Sequence, residues 1–157
     1  MTNMESSLVG SFNSFYFSNK LKAFAFRLNQ GMYYGDQLSD FLSDSLDRDY
    51  YFAVEAKSIN SLKYKTFNFK SRFQENQLQK ETQYCNRVGR QHFTAIELRE
   101  GKGKKRTCHF IKSEELITKM NNRIKSIKTE DISSYPDIPR SGGKYVITKK
   151  VWAKIIA

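Results

Sequence analysis

The sequence predicts a single α/β domain. Its 157 residues match the size at which one hydrophobic core forms and buries well over half of the unfolded chain's surface. Strand-like segments alternate with stretches rich in helix formers, and Tyr50–Lys57 is the clearest strand, dense in aromatic and branched residues. Hydrophobic residues at 39% and aromatics at 14% supply the material for that core.

From Met4 to about Lys22, Leu8, Phe12, Phe15, Phe17 and Leu21 are spaced among serines and asparagines in a way that suits a helix or helix-turn. Ala23–Leu28 reads as a short strand, and Asn29, Gly31 and Gly35 break the chain after it. A second strand is expected over Leu38–Ser43, followed by the polar turn Asp47-Arg48-Asp49 and the strand Tyr50–Lys57, the two strands forming a hairpin. Ser71 to Val88 predicts a surface helix, with Ser71 as its cap and Gly89 as its stop. Phe93–Leu98 and Thr107–Ile111 pair across the basic turn Gly101–Arg106. Ser113-Glu114-Glu115-Leu116 opens a helix with a cap and early acids, and the remainder holds a Pro/Gly loop and a basic, strand-like end at Tyr145–Ile156. Residues 131–157 are expected as a basic C-terminal extension packed on or next to the core of one 1–157 domain.

Charge narrows the partner. The 27 Lys plus Arg against 16 Asp plus Glu leave +11 and a pI near 9.6, which points to a polyanion, and to nucleic acid before anionic lipid. No apolar run approaches the roughly 18 residues of a membrane span, and Met1–Ser7 lacks the basic start and apolar segment of a secretory signal. The expectation is a cytoplasmic protein with Cys85 and Cys108 reduced.

Chemistry concentrates around Glu55-Ala56-Lys57. The strand period of two puts Glu55 and Lys57 on one face and Val54 and Ala56 on the other, and Asp40 on the preceding strand can come opposite Glu55. Two carboxylates and an ammonium are the minimum set for hydrolysing a phosphodiester with a bound Mg²⁺: hard oxygens hold the ion, and the cation positions water and offsets developing charge. A plain exposed cross-strand pair is the competing account of the same residues.

The run Gln37-Leu38-Ser39-Asp40-Phe41-Leu42 followed by Phe52-Ala53-Val54-Glu55-Ala56-Lys57 resembles the core of the PD-(D/E)xK nucleases, with Ser39 in place of the usual proline. Phe69–Leu78 resembles the segment of RecU-type Holliday junction resolvases in which a phenylalanine and a glutamine open the helix after the lysine strand, Gln77 standing as that glutamine. Phe26-Arg27-Leu28 and Cys108-His109-Phe110-Ile111 resemble further strands of the family, so that the likeness spans roughly residues 10 to 120. It implies a restriction-endonuclease-like α/β fold with a central mixed β-sheet flanked by helices, dependence on Mg²⁺ or Mn²⁺, and a homodimer acting on DNA four-way junctions. Asp40 and Glu55 would hold metal, Lys57 would assist the attacking water, and Gln77 would orient water, lysine or phosphate. The family's glutamate on the first helix is missing: Asn13 stands where it is sought, and Glu5 is the acid available one turn or more earlier.

Candidate DNA-backbone contacts are Arg27, Lys63, Lys65, Lys70 and Arg72, with Tyr64, Phe67 and Phe69 interleaved, and the hairpin tip Lys102, Lys104, Lys105 and Arg106. Lys144, Lys149, Lys150 and Lys154 extend the basic surface, and Trp152 is expected in the core or a dimer interface. Cys85, His92, Cys108 and His109 lack the paired spacing of a zinc site, and the histidines are expected on strand surfaces or edges. Gly101–Lys104 lacks the spacing of a phosphate-binding loop. The resemblance implies a junction-resolving endonuclease, with two alternatives kept open: a catalytically weak protein that binds branched DNA, and a restriction-type DNA nuclease.

Overall fold

The structure, a computed structural model, describes residues 3–28 and 39–157. Helix α1 (Met4–Ser18) starts where the Asn3 side chain accepts a hydrogen bond from the Ser6 amide at 2.8 Å. Its Leu8, Phe12, Phe15 and Tyr16, spaced for one helical face, are buried. Six strands form the main sheet: β1 (Ala23–Arg27), β2 (Phe41–Ser45), β3 (Phe52–Asn60), β5 (Gln91–Arg99), β6 (Arg106–Lys112) and β8 (Asp137–Ile138), lying side by side in that order. Only the β3–β5 pairing is parallel, so the sheet is mixed. Between β3 and β5 the chain makes strand β4 (Thr66–Asn68) and helices α2 (Phe69–Arg72) and α3 (Gln77–Val88). After β6 come α4 (Ser113–Asn121), β7 (Ser126–Lys128), which pairs with β4, and α5 (Thr129–Ile132). The chain closes with the small hairpin β9 (Arg140–Ser141) and β10 (Lys144–Tyr145), then α6 (Lys149–Ile156).

Each sheet face has its own apolar layer. On one, Phe12, Phe52, Val54, Phe93, Phe110 and Trp152 gather under α1 and α6. On the other, Ile59, Ile96, Leu98, Leu78 and Leu116 meet α3, α4 and the β4–β7 pair. The alternation along β3 feeds both layers, and the second face is the one on which Glu55 and Lys57 emerge. Among the described residues no helix is long and apolar enough to cross a membrane.

The central mixed sheet flanked by helices is the architecture the sequence predicts, with five local departures. The stretch from Ser71 to Val88 is two helices rather than one: Asn68, not Ser71, caps α2, and Asn76 takes a left-handed turn (φ 58°) before α3. Asparagine tolerates that conformation because its short polar side chain can bond locally. Nor is α3 only a surface helix, since Leu78, Glu81, Thr82 and Cys85 are buried. Ser113 does not cap α4; its hydroxyl points inward to His92 and Thr94. The end expected as a strand is helix α6, capped by Thr148 and anchored by Trp152, whose indole donates to the Asp49 carbonyl at 2.7 Å. His92 and His109 are buried, not on strand surfaces. The turn residues Asn29, Gly31 and Gly35 and the strand start at Leu38 lie outside the described residues, and β2 begins at Phe41. Cys85 and Cys108 are free and sit in different apolar clusters.

Candidate active site

The antiparallel register of β2 on β3 pairs Phe41 with Val54. One step further along that ladder Asp40 meets Glu55, and the Asp40 amide donates to the Val54 carbonyl at 3.0 Å. One Asp40 carboxylate oxygen accepts from the Ala56 amide at 2.7 Å. Backbone bonds on both sides thus fix where this carboxyl sits. Glu55, 4% exposed, faces it from the middle of β3, and Lys57, two residues on, places Nζ 3.2 Å from Glu55 Oε1 and 5.3 Å from the centroid of the Phe73 ring. A ring beneath an ammonium steadies it without neutralising it.

Gln77 completes the group from the first turn of α3. Its Nε2 donates to Glu55 Oε1 at 3.0 Å, while its Oε1 accepts from the Gln74 amide at 3.0 Å. Because the carbonyl end is held by a backbone donor, the amino end is the one that meets Glu55. Asp40, Glu55, Lys57 and Gln77 therefore lie in one neighbourhood, with Lys57 and Gln77 both on Glu55 Oε1.

Burial, and then the charge of Glu55, pushes the Asp40 carboxyl up to about 7. A half-buried carboxylate beside a buried one resists joint ionisation, and a cation close to both relieves that repulsion. Among the described residues no group of three or more His, Cys, Asp and Glu side chains is arranged around one ion. Mg²⁺ suits such a sparse protein set, since it binds through one or two carboxylates and fills its other positions with water and phosphate oxygens. Asp40 and Glu55 are the residues that would hold it.

Glu81, which sequence reasoning missed, lies one turn beyond Gln77 on the same face of α3 and is 2% exposed. Burial, followed by the charge of Glu55, pushes its carboxyl up to about 10. Neither of its oxygens has a hydrogen-bond partner of good geometry, and His92 Nε2 stands 3.8 Å away. Burial lowers His92 to about 4, so the ring is neutral near pH 7. The signal in the sequence was a carboxylate within the stripe Leu78, Thr82 and Cys85, where a helix facing a sheet carries apolar side chains.

The first-helix residues have other duties. Asn13 clamps β1, donating to the Ala25 carbonyl and accepting from the Ala25 amide, both at 2.8 Å. Glu5 pairs with Arg27 at 2.9 Å, and the same guanidinium bonds Ser6. Glu5 is near enough to raise Asp40 by its charge, but its carboxylate is held by Arg27.

Of the other basic residues singled out above, Lys63, Lys65, Lys70, Lys102, Lys104 and Lys105 are exposed. Arg72 lies over the rings of Tyr64 and Phe67, and Arg106 is partly buried. Lys70 shares a groove with Phe73, Gln74, Asn76, Arg123 and Lys125. Phe73 and Gln74 in its wall touch Lys57 and Gln77, so the groove adjoins the carboxylates; Arg123 and Lys125 add two cations not singled out in the sequence.

No protein-family model matches the chain, and no curated protein matches it. Among solved structures the chain is similar to Hjc, a Holliday junction resolvase from the archaeal hyperthermophile Archaeoglobus fulgidus. The identity is 14% and the TM-score 0.48, with 97% of this chain and 89% of that chain covered. No residue role is carried over from it.

Proposed function

We propose that this protein is a divalent-metal-dependent endonuclease that hydrolyses phosphodiesters in branched DNA, with the four-way (Holliday) junction as its substrate and a homodimer as its working form. One observation carries the reaction class: a half-buried carboxylate, Asp40, and a buried one, Glu55, lie close enough for their charges to interact, with Lys57 and Gln77 both on Glu55. The +11 charge and the basic groove beside the site support a polyanionic substrate. The four-way junction and the dimer rest on the order of motifs in the sequence that resembles RecU-type resolvases.

A bound Mg²⁺ or Mn²⁺ supplies Lewis acidity at the scissile phosphate and lowers the pKa of a coordinated water. The protein's residues do the rest. Asp40 and Glu55, placed by the β2–β3 pairing, would hold the ion. Gln77 keeps Glu55 in one rotamer by donating to Oε1. Lys57, beside Glu55 and held over Phe73, is placed to hold water and to offset negative charge that grows on the phosphate oxygens. The exposed lysines and the groove cations carry the backbone on either side.

One observation favours a second reading, a branched-DNA-binding protein with weak catalysis: Glu5, the acid on α1, is engaged by Arg27, and Asn13 is engaged by the β1 backbone. Labelled four-way junction, linear duplex and single strand, each incubated with Mg²⁺ or with chelator, separate the possibilities. Metal-dependent, symmetric nicking of the junction is the expected result, lost in Asp40→Asn and Glu55→Gln while junction binding persists. Binding without cutting selects the second reading, and equal cutting of linear duplex selects a restriction-type nuclease.

A further inference from the structure

His92 sits in the layer between the sheet and helices α3 and α4, with 2% of its side chain exposed. A buried imidazole there has to satisfy two ring nitrogens, and both find hydroxyls. Nε2 meets Ser39 Oγ at 2.9 Å, and Nδ1 meets Ser113 Oγ at 2.6 Å. Ser113 Oγ in turn lies 2.9 Å from Thr94 Oγ1. The ring therefore ties together the entry to β2, the first residue of α4 and the middle of β5. An apolar side chain would fill the same volume without needing these partners, and a buried network of this kind fixes local geometry through its bonded members, here His92, Ser39, Ser113, Thr94 and, more loosely, Thr82 at 3.4 Å from Nδ1, with Glu81 beside it 3.8 Å from Nε2 and without a hydrogen-bond partner of good geometry.

The end of the network at Ser39 is chemically pointed, because Ser39 is fully buried and is bonded directly to Asp40. Asp40 lies just before the first residue of β2, where its backbone and carboxylate bond β3 and its preceding neighbour Ser39 sets the direction from which it enters. Fixing the Ser39 hydroxyl fixes the backbone from which the Asp40 carboxyl springs. We propose that His92 is a positioning residue for Asp40, acting through Ser39 to hold that carboxyl at cation-binding distance from Glu55. The inference rests on reading Asp40 and Glu55 as the cation ligands. Groups that orient metal ligands from behind typically contribute about 10–100-fold in metal affinity or activity.

The two ring nitrogens allow a test that separates positioning from general core packing. Glutamine at position 92 reaches the place of Nε2 and can still bond Ser39; asparagine reaches only the place of Nδ1 and can bond Ser113 but not Ser39. Mn²⁺ alone is titrated into the full chain and followed by electron paramagnetic resonance, with circular dichroism and melting used to establish that each variant is folded. Asp40→Asn should abolish binding. Ser39→Ala, the mildest change, and His92→Asn should each weaken Mn²⁺ by about 10–100-fold, whereas His92→Gln should keep most of the affinity. Parental affinity in Ser39→Ala and His92→Asn, with Asp40→Asn still unable to bind, overturns the positioning role and leaves the metal site standing. Equal loss in the asparagine and glutamine variants also overturns it, since it reports damage to packing. A parental protein that does not bind Mn²⁺ removes the metal site itself, and this inference with it.

Discussion

Replacing Asp40 with asparagine should make the metal-free protein more stable at alkaline pH while destroying its site. The Asp40 carboxyl is pushed from 3.8 up to about 7, by burial first and by Glu55 second. Three units at about 1.36 kcal/mol each correspond to ~4 kcal/mol if Asp40 alone carried the cost. Part of that cost belongs jointly to Glu55, so about half, ~2 kcal/mol, is assigned to Asp40. The unfolded chain releases the Asp40 proton near pH 4 and the folded protein only near 7. Between these values the native state holds the extra proton, so stability falls as pH rises through the window and the full cost persists above it. Asparagine has no such cost, and its carbonyl oxygen can still accept from the Ala56 amide. For a protein of this size ~2 kcal/mol moves the melting temperature by roughly 4–8 °C. Thermal melts in chelator at about pH 8.5 should show that rise, and the gap should close toward about pH 4. Adding Mg²⁺ should raise the melting temperature of the parent but not of the variant, because only the native state of the parent binds the ion. A variant that melts at or below the parental temperature at about pH 8.5 without metal would refute the claim that Asp40 and Glu55 oppose each other across a site built for a cation.

Three further outcomes are expected. Lys57→Ala should slow single-turnover junction cleavage by at least ~100-fold, the loss typical of one preorganised electrostatic group, with junction affinity little changed; a folded variant that cuts at the parental rate would remove Lys57 from the reaction. Junction affinity should drop steeply with salt, giving a clearly negative slope of log affinity against log salt as bound cations release counterions, whereas a flat plot would leave the +11 charge as solvated surface. Trp152→Ala should destabilise the fold by ~3–5 kcal/mol in denaturant unfolding, because this fully buried ring packs against Phe12, Phe52, Phe93 and Phe110; a cost below ~1 kcal/mol would place α6 outside the core.

Strand β3 was legible because its composition and its period agree: Phe52 and Val54 seek a core, and Glu55 and Lys57 share the face that emerges beside Asp40. The hairpin with β2 followed from order and spacing, while Gln77 was singled out through the resemblance and its bond to Glu55 was not foreseen. What failed to show were features decided by tertiary contact. The break in the helix expected from Ser71 depends on one left-handed residue, Asn76, in a run of good helix formers. The C-terminal helix α6 is short, and its apolar spacing Val151, Trp152, Ile155 reads as easily for a strand end until Thr148 is seen to cap it. Glu81 and His92 looked like ordinary surface polar residues because nothing local marks them as buried; only the packing of α3 on β5 brings them behind the carboxylates. Arg123 and Lys125 join the groove through the fold, from a turn some fifty residues after α2.

The Trp152 indole bonds the carbonyl of Asp49, 103 residues earlier in the chain, and its ring closes over Phe12 of the first helix. During synthesis, then, the layer under α1 stays open until Trp152 has left the ribosome. The side chains of Asp40, Glu55, Lys57 and Gln77 emerge long before that moment, yet the sheet that carries Asp40 and Glu55 has only one of its two apolar faces covered. Elongation at about 5–20 residues per second leaves a window of several seconds between the emergence of Lys57 and that of α6. A nascent chain therefore carries its chemistry in a loose form, and competence arrives only with α6.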